Sequence, residues 1–332
     1  MEKNIEKKQK KGLKAFGITV LVLLIILAIL VGGTYVFINS KLAKMQKVDL
    51  NENDLNVSAQ TEEKLADYRN IAIFGVDSRD DSYDKGNRSD CIIIASINNK
   101  TKVVKLISVY RDTYVQIEGH GLDKITHAYS YGEAPLAIKT LNSNLDLNIK
   151  EFATVNFDVV KETVDYIGGI SMPITSEEVS QIPGITKAGT YTLNGEQALA
   201  YSRIRHATGG DYKRTERMRN VLTATVNKVK SLNISKLNGF VDTILPKVYT
   251  NVTSSEIFSM MPSIANYKIT DSIGWPYKTK GITMDRWYGI PITLESNVTQ
   301  LHKEAFGETD YVPSDTIKDI SNKIIEKTGY SK

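Results

Sequence analysis

The sequence predicts an α/β protein: a sandwich built on a mixed central sheet and preceded by one transmembrane helix. Three observations lead there. Short apolar runs of strand length alternate with amphipathic stretches of helical period through the body of the chain. Two of the runs, Arg88–Asn99 and Lys102–Val109, are separated only by a turn-forming segment around Asn98–Thr101, so they pair as an antiparallel hairpin and the sheet is not purely parallel. Ala15–Ser40 is 26 residues without a charge; at about 1.5 Å per residue it exceeds the roughly 30 Å hydrocarbon core.

Charge divides the 332-residue chain in the same way. Met1–Lys14 holds six lysines against Glu2 and Glu6, a net +4 that equals the formal charge of the whole chain. Residues 15–332 are therefore formally neutral, and the body offers no net basic face to nucleic acid. The lysine excess before the span, against Lys41, Lys44 and Lys47 after it, favours a cytoplasmic N terminus. A cleaved signal peptide is disfavoured, because the apolar run is too long and no clean small-x-small site follows it. The reading is a cytoplasmic basic tail (1–14), a signal anchor (15–40), a polar stalk without apolar period (41–58) and an extracytoplasmic domain (59–332). Cys91 is the single cysteine, which excludes an internal disulfide; a domain of about 280 residues can bury a sufficient core without one.

Within the domain, Thr61–Tyr68 reads as a helix. Asn70–Arg79 is a buried strand closing in a polar turn, which sets Asp77 and Arg79 at a strand's carboxyl end, where ligand sites form in α/β sheets. A Gly- and Asp-rich loop (80–87) leads to the hairpin, whose second strand runs out into Tyr110-Arg111-Asp112. Lys124–Gly132 and Glu133–Leu145 read as two helices and Phe152–Phe157 as a strand. Asp158–Ile167 is a helix capped by Asp158 and closed by Gly168-Gly169, before a short strand at Ile170–Ile174. Thr175–Thr190 carries few regular signals. A short helix through Arg203 delivers Arg203 and Arg205. Arg205–Asp211, with Gly209 and Gly210, is a flexible link to a long amphipathic helix, Tyr212–Lys230, whose Val221, Leu222, Val226 and Val229 face inward. Further helices and short strands complete the chain, without internal repeat or second domain boundary.

The chemistry concentrates in Tyr201–Asn220. The chain has 32 lysines and 10 arginines, yet five of the arginines (Arg203, Arg205, Arg214, Arg217, Arg219) fall in these twenty residues beside one lysine, Lys213. Arginine is the better residue for a planar, bidentate grip on an oxyanion; the alternative is a surface helix laced with ion pairs to Asp211 and Glu216. No phosphate-binding Gly-rich loop and no Gly-x-Ser-x-Gly elbow is present, and the four histidines and one cysteine show no zinc-ligand spacing. His206 reads either as an acid–base group or as a neutral hydrogen-bonding side chain. Asp77 and Asp90 suit a magnesium ion shared with phosphate oxygens, or else form salt bridges with Arg79 and Arg88.

Six blocks (NIAIFGVDSR, GNRSD, YRDT, KITHAYSYG, GEQALAYSRIR and DYKRTERMR) stand in the order and spacing of the LytR–CpsA–Psr family. The chain resembles that family strongly from Tyr68 to Lys230 and weakly beyond. The resemblance implies an α/β/α fold and a cell-envelope enzyme of mainly Gram-positive bacteria. Such an enzyme moves a glycopolymer, teichoic acid or capsule-like, from an undecaprenyl-pyrophosphate carrier to a peptidoglycan sugar hydroxyl. It implies Mg2+ (or Mn2+) on Asp77 and Asp90, with Asp77, Asp90 and Arg111 catalytic. Arg88, Arg111, Arg203, Arg205, Arg214 and Arg217 would hold the pyrophosphate, supported by Arg79 and Asp211. Three positions depart from the family pattern: Tyr110 for a frequent proline, Cys91 for Thr or Ser, and Met218 for the usual glutamine.

Physical reasoning agrees with this. Outside the cell there is no ATP pool, so a transfer needs a donor activated beforehand, and splitting a lipid-linked pyrophosphate calls for the charge neutralisation that arginines and a divalent cation provide. The polyprenyl tail requires an apolar slot, which the helix after Arg217 can line. Three alternatives remain: an envelope-linked transcriptional regulator, opposed by the anchor's orientation and the neutral body; a non-catalytic glycopolymer-binding module; and a lipid pyrophosphate hydrolase, which differs in taking water as acceptor.

Overall fold

The computed structural model describes residues 40, 43, 45–78, 83–253, 255–256 and 266–331. The expected span at 15–40 thus lies outside the described residues, Ser40 excepted; among the described residues no helix is long and apolar enough to cross a membrane. The chain divides into two compact units, Met1–Lys44 with Thr253–Pro262, and Met45–Val252 with Ser263–Lys332. In the first, the Thr253 amide donates to the Glu256 carboxylate at 2.6 Å. The second carries the sheet.

Its elements begin with β1 (Gln46–Lys47), α1 (Ala59–Lys64), β2 (Tyr68–Val76), β3 (Ser89–Asn98) and β4 (Val103–Val109). Then come β5 (Tyr114–Ile117), β6 (Gly121–Lys124), α2 (Ile125–Leu145), β7 (Glu151–Asn156), α3 (Phe157–Tyr166), β8 (Ile170–Ile174) and β9 (Gly189–Leu193). Next are α4 (Gly195–Arg203), α5 (Gly210–Lys230), α6 (Ile234–Ile244) and β10 (Tyr249–Thr250). The chain finishes with β11 (Lys268–Trp275), β12 (Thr279–Thr283), β13 (Trp287–Pro291), α7 (Leu294–Phe306) and α8 (Asp315–Thr328).

The central sheet runs β1-β10-β7-β2-β3-β4-β11. It is mixed: β3 is antiparallel to both β2 and β4, whereas β2 runs parallel to β7 and β4 parallel to β11. Because side chains alternate along a strand, each strand feeds two layers. Ala72, Phe74, Val76, Ile92 and Ile94 point into a core shared with Leu141, Leu145, Leu301 and Ile320 of α2, α7 and α8. Ile73, Gly75, Cys91 and Ile93 face the opposite side, toward α3 and α5. A second core of Val164, Ile170, Leu193, Ala198, Ile204 and Val221 knits α3, α4 and α5 to the β8–β9 hairpin. The α/β/α layering implied by the resemblance is what the chain adopts.

Several expectations change in detail. Residues 45–58 are part of the fold and not a polar stalk: β1 pairs with β10, and Leu55 is 1% exposed in the main core. Its apolar residues follow no helix or strand period, because they reach the core one at a time. The two helices read across 124–145 are the arms of α2, whose helical geometry breaks at Gly132 and Glu133 ahead of Pro135. Proline lacks the amide a helix interior needs, and its ring crowds the preceding turn. The helix at 157 is capped by Asn156, whose side chain accepts from Val159 N at 2.8 Å, and not by Asp158. Within the signal-poor 175–190 segment the chain turns back, so that β9 pairs with β8.

Candidate active site

Strand directions bring the sequence-predicted acids and one arginine to a single edge of the sheet. β2 and β4 end there and β3 begins there, which gathers Asp77, Arg111 and Asp90. Asp90 is the extra residue of a bulge, since Gly75 faces Cys91 while Val76 faces Ser89; a bulge re-aims the side chain it carries. Arg111 Nη1 donates to Asp90 Oδ1 at 2.8 Å, and its Nε lies 3.4 Å from Asp112 Oδ2. The first turn of α2 fastens this edge. Ile125 and Thr126 donate their amides to the carbonyls of Thr113 and Arg111, and Thr126 Oγ1 donates to the Ser89 carbonyl. Helix N-terminal amides left without intrahelical partners thereby hold the end of β4 against the start of β3.

Arg203 and Arg205 arrive from the other side. A capping box between Asn194 and Gln197 starts α4, which stops at Arg203; Ile204 leaves helical geometry (φ −57°, ψ 124°) and is buried. Arg203 closes the last turn of α4 and Arg205 follows the non-helical Ile204, and both side chains are exposed. Arg203 Nη2 stands 3.8 Å from Asp77 Oδ1, and its guanidinium lies 4.4 Å over the Phe157 ring. The carboxylates therefore face Arg111 and Arg203 across the fold, whereas their chain neighbours Arg79 and Arg88 were the salt-bridge partners that sequence adjacency suggested. Arg88 is exposed beside Ser89. Arg79 and the Asp211 side chain lie outside the described residues, although the backbone of Asp211 sits in the first turn of α5. His206 is exposed beyond Arg205.

Arg217 is placed differently from the sequence reading. Its Nε donates to Glu178 Oε1 at 2.7 Å and its Nη1 to the Ile204 carbonyl at 3.3 Å, with both side chains only 7% exposed. A charge this deeply buried needs a partner. Arg217 thus ties α5 to the 175–181 segment and to the Arg203–Arg205 corner, holding the site's backbone. Arg69, at the far end of β2, forms a two-pronged pair with Glu151 at 2.7 and 2.9 Å.

Beneath the charged edge lies an apolar cavity of about 310 Å3, walled by Gly75, Cys91 and Ile93 of the sheet, Phe157 and Val160 of α3, and Met218, Val221 and Leu222 of α5. Burial pushes the Cys91 thiol up to about 12, with Arg214 and Arg219 pulling down and Asp90 pushing further up. At neutral pH it is a protonated, inert part of the wall. Arg214 and Arg219 are both buried on α5. Sequence reasoning counted Arg219 within the arginine-rich stretch but gave it no role. Burial lowers its pKa against the opposing pull of Tyr110, Glu216 and Cys91, and its Nε and Nη1 are enclosed without a hydrogen-bond partner.

Among the described residues no three His, Cys, Asp or Glu side chains gather as a metal cage. The donors present, Asp77 and Asp90, are two hard carboxylates on adjacent strand ends. That set does not suit zinc; it suits an ion of the magnesium type, which takes one or two carboxylates and completes its shell with water and phosphate oxygens.

Comparison with known proteins follows the same lines. The protein-family model described as the LytR_cpsA_psr family matches residues 32–299. The chain is 32% identical over 299 residues to the polyisoprenyl-teichoic acid–peptidoglycan teichoic acid transferase TagT of Bacillus subtilis (strain 168), covering 85% of this chain and 92% of that one. It is 34% identical over 260 residues to the like-named transferase TagU of Enterococcus faecalis, covering 77% and 83%. Its fold is similar to a solved structure of TagT bound to LIIa-WTA, with a TM-score of 0.58 and 26% identity over 80% of this chain and 92% of that one.

Proposed function

This chain belongs to the LytR–CpsA–Psr family, and from that premise we propose that it moves an anionic glycopolymer of the teichoic acid type from a polyprenyl-pyrophosphate carrier to a sugar hydroxyl of peptidoglycan. One observation carries the reading: the apolar cavity and the charged edge share their boundary residues. Phe157 lines the cavity and carries the Arg203 guanidinium on its ring; Ser202, Cys91 and Met218 line it too, each one residue from an arginine or aspartate of the site. A ligand filling both compartments must have a long apolar tail joined directly to a multiply charged head. A polyprenyl diphosphate has that form.

In the proposed reaction the acceptor oxygen forms a bond to the sugar-side phosphorus. The anhydride bond breaks, its electron pair leaves on the polyprenyl phosphate, and the hydroxyl proton is released. Arg203, Arg205 and Arg88 are exposed at the mouth and meet the diphosphate first. Arg111, braced by Asp90 and Asp112, supplies positive charge that needs no reorganisation as the leaving phosphate develops its own. Asp77 and Asp90 would hold Mg2+ or Mn2+, which when bound offsets phosphate charge. Replacing either by Asn preserves size and removes charge; titration with Mn2+ followed by electron paramagnetic resonance should then show weakened binding. Unchanged affinity in both variants would leave them as ion-pair partners only.

The test of the function is reconstitution. Full-length protein is supplied with lipid-linked polymer and peptidoglycan, and the polymer is followed. Covalent attachment to the glycan supports the transferase; release of free polymer phosphate in its presence makes the protein a hydrolase. The lysine-rich tail and the apolar span at 15–40 support a membrane-anchored protein whose C-terminal domain lies outside the cytoplasm. A C-terminal phosphatase fusion active in whole cells is the expected result, and an inactive one reverses the topology.

A further inference from the structure

A second cleft, of about 450 Å3, lies between the β5–β6 hairpin and the turn joining β12 to β13, and its composition is unlike that of the apolar cavity. Its walls include Tyr114, His120, Asp123, Asp285, Arg286 and Tyr288. Asp123 is its fixed point: Oδ2 meets the His127 ring nitrogen at 2.8 Å and accepts from the Tyr131 hydroxyl at 2.7 Å, while Oδ1 accepts from the Lys124 amide at 2.7 Å. The Tyr288 hydroxyl donates to Asp285 at 2.8 Å. At the rim the His120 and Tyr131 rings stack with centroids 4.1 Å apart and planes within 10°. Tyr131 is 37% exposed, one of few large hydrophobic side chains left in water among the described residues.

This combination selects a ligand class. Asp123 and Asp285 are matched in number by Arg286 and Lys327 on the same walls, so a phosphate meets no net positive field. A purely apolar chain would strip water from carboxylates without replacing it. A saccharide meets both demands, with its C–H face against the exposed ring pair and its hydroxyls on the carboxylates and guanidinium.

The cleft is also wired to the reaction edge. Lys124, next to Asp123, donates to Asp112 Oδ1 at 2.6 Å. Asp112 Oδ2 is 3.4 Å from Arg111, which holds Asp90. The Gly289 amide of β13 donates to the Asp112 carbonyl at 2.9 Å, which fixes that wall to the same residue. We infer that this cleft binds the acceptor glycan, holding the sugar chain while one of its hydroxyls reaches the diphosphate. The inference rests on the transferase reading above.

The probe is the β-1,4-linked N-acetylglucosamine tetramer, titrated into full-length protein in detergent micelles, with maltotetraose as the control sugar. The tetramer should bind in preference to maltotetraose. Tyr131→Ala and the surface change Arg286→Ala should each weaken it about tenfold, the loss of one good contact. Tyr131→Phe, which keeps the ring face, should retain most of the affinity. In the transfer reaction the acceptor KM should rise in step, with donor KM and kcat at saturating acceptor unchanged. A wild-type protein that ignores the tetramer, or one whose binding and acceptor KM are indifferent to both Ala changes, overturns the glycan cleft while leaving transfer intact. A protein that binds the tetramer through these residues yet attaches no polymer overturns the transferase reading instead.

Discussion

The five arginines of 203–219 share one formal charge and perform at least three tasks, and the difference is set by what surrounds each guanidinium. Arg203 and Arg205 flank the non-helical, buried Ile204 and reach solvent, where fork geometry decides their use. Arg203→Lys and Arg205→Lys keep charge and lose the bidentate grip. Each should slow transfer about tenfold to a hundredfold, from roughly 1.5–3 kcal/mol per lost charge-assisted contact. Parental rates in both Lys variants would remove the diphosphate clamp from this corner. Arg219 is the opposite case, enclosed with two donors unsatisfied, a state that costs stability until something pairs with it. Arg219→Met should therefore melt at or above the parental temperature while transferring polymer more slowly. A Tm lower by more than a few degrees would mean that the fold already satisfies the group. The identity of these residues was legible in the sequence but their orientation was not. Successive helix positions turn by about 100°, and which of residues 214, 217, 218 and 219 looks at the cavity depends on the sheet and the 175–181 segment that cover α5.

At the scale of elements, the corner between α4 and α5 is the part whose integrity the site depends on, and Glu178 is its keystone. Burial would push the Glu178 carboxyl up, but the Thr175 amide and the Arg217 guanidinium outweigh it, and the net shift is downward. A carboxyl whose folded pKa lies below its unfolded value contributes stability above the unfolded pKa, and that contribution disappears as pH falls through the folded one. Glu178→Gln should thus be less stable than the parent at pH 7, by about 3–5 kcal/mol for a broken buried pair. The gap should narrow as acid is added below about pH 4.3, the unfolded glutamate value. Urea unfolding of both proteins across that range is the measurement, and a gap constant from pH 7 to pH 3 would show that the charge of the Glu178 carboxylate contributes nothing. Elements with a strong local signal were readable in advance: β2, β3 and β4 as apolar runs, and the hairpin turn between the last two. β8 was read as a strand as well, but its partner β9 and the β5–β6 hairpin were not. Their strands, such as GLDK and GTYTL, are short and largely unburied, so pairing with a neighbour, and not an apolar period, makes them strands.

For the molecule as a whole, the sequence divides into a charged tail, an apolar span and a neutral body, and the start of the folded domain is where the sequence reading and the structure part. Composition places the domain's start near residue 59, because 41–58 is polar and aperiodic. The folded unit instead begins at Met45. Gln46 and Lys47 form β1 at the edge of the sheet beside β10, and Met45 and Leu55 are buried. The Leu55 carbonyl accepts from the buried Asn142 side chain at 2.8 Å, and the Asn56 side chain donates to Glu118 at 2.8 Å. Removing residues 1–58 therefore deletes a core side chain, uncovers the edge of β10 and strips the buried Asn142 amide of one of its two acceptors, leaving the Ile149 carbonyl. Leu55 alone contributes about 1.5–3 kcal/mol by transfer, and the one Asn142 N–H left unpaired adds about 1–3 kcal/mol. Against the marginal stability of a typical domain, about 5–15 kcal/mol, these losses are large. A protein beginning at Met45 should express in soluble form and unfold cooperatively, whereas one beginning at Ala59 should melt markedly lower or aggregate through the exposed edge of β10. A single change, Leu55→Ala in the longer form, separates the core contribution from that of the strand: it should reproduce part of the loss of stability while keeping β1 in place. Equal melting temperatures for the two truncated forms would restore 41–58 to the role of a free stalk.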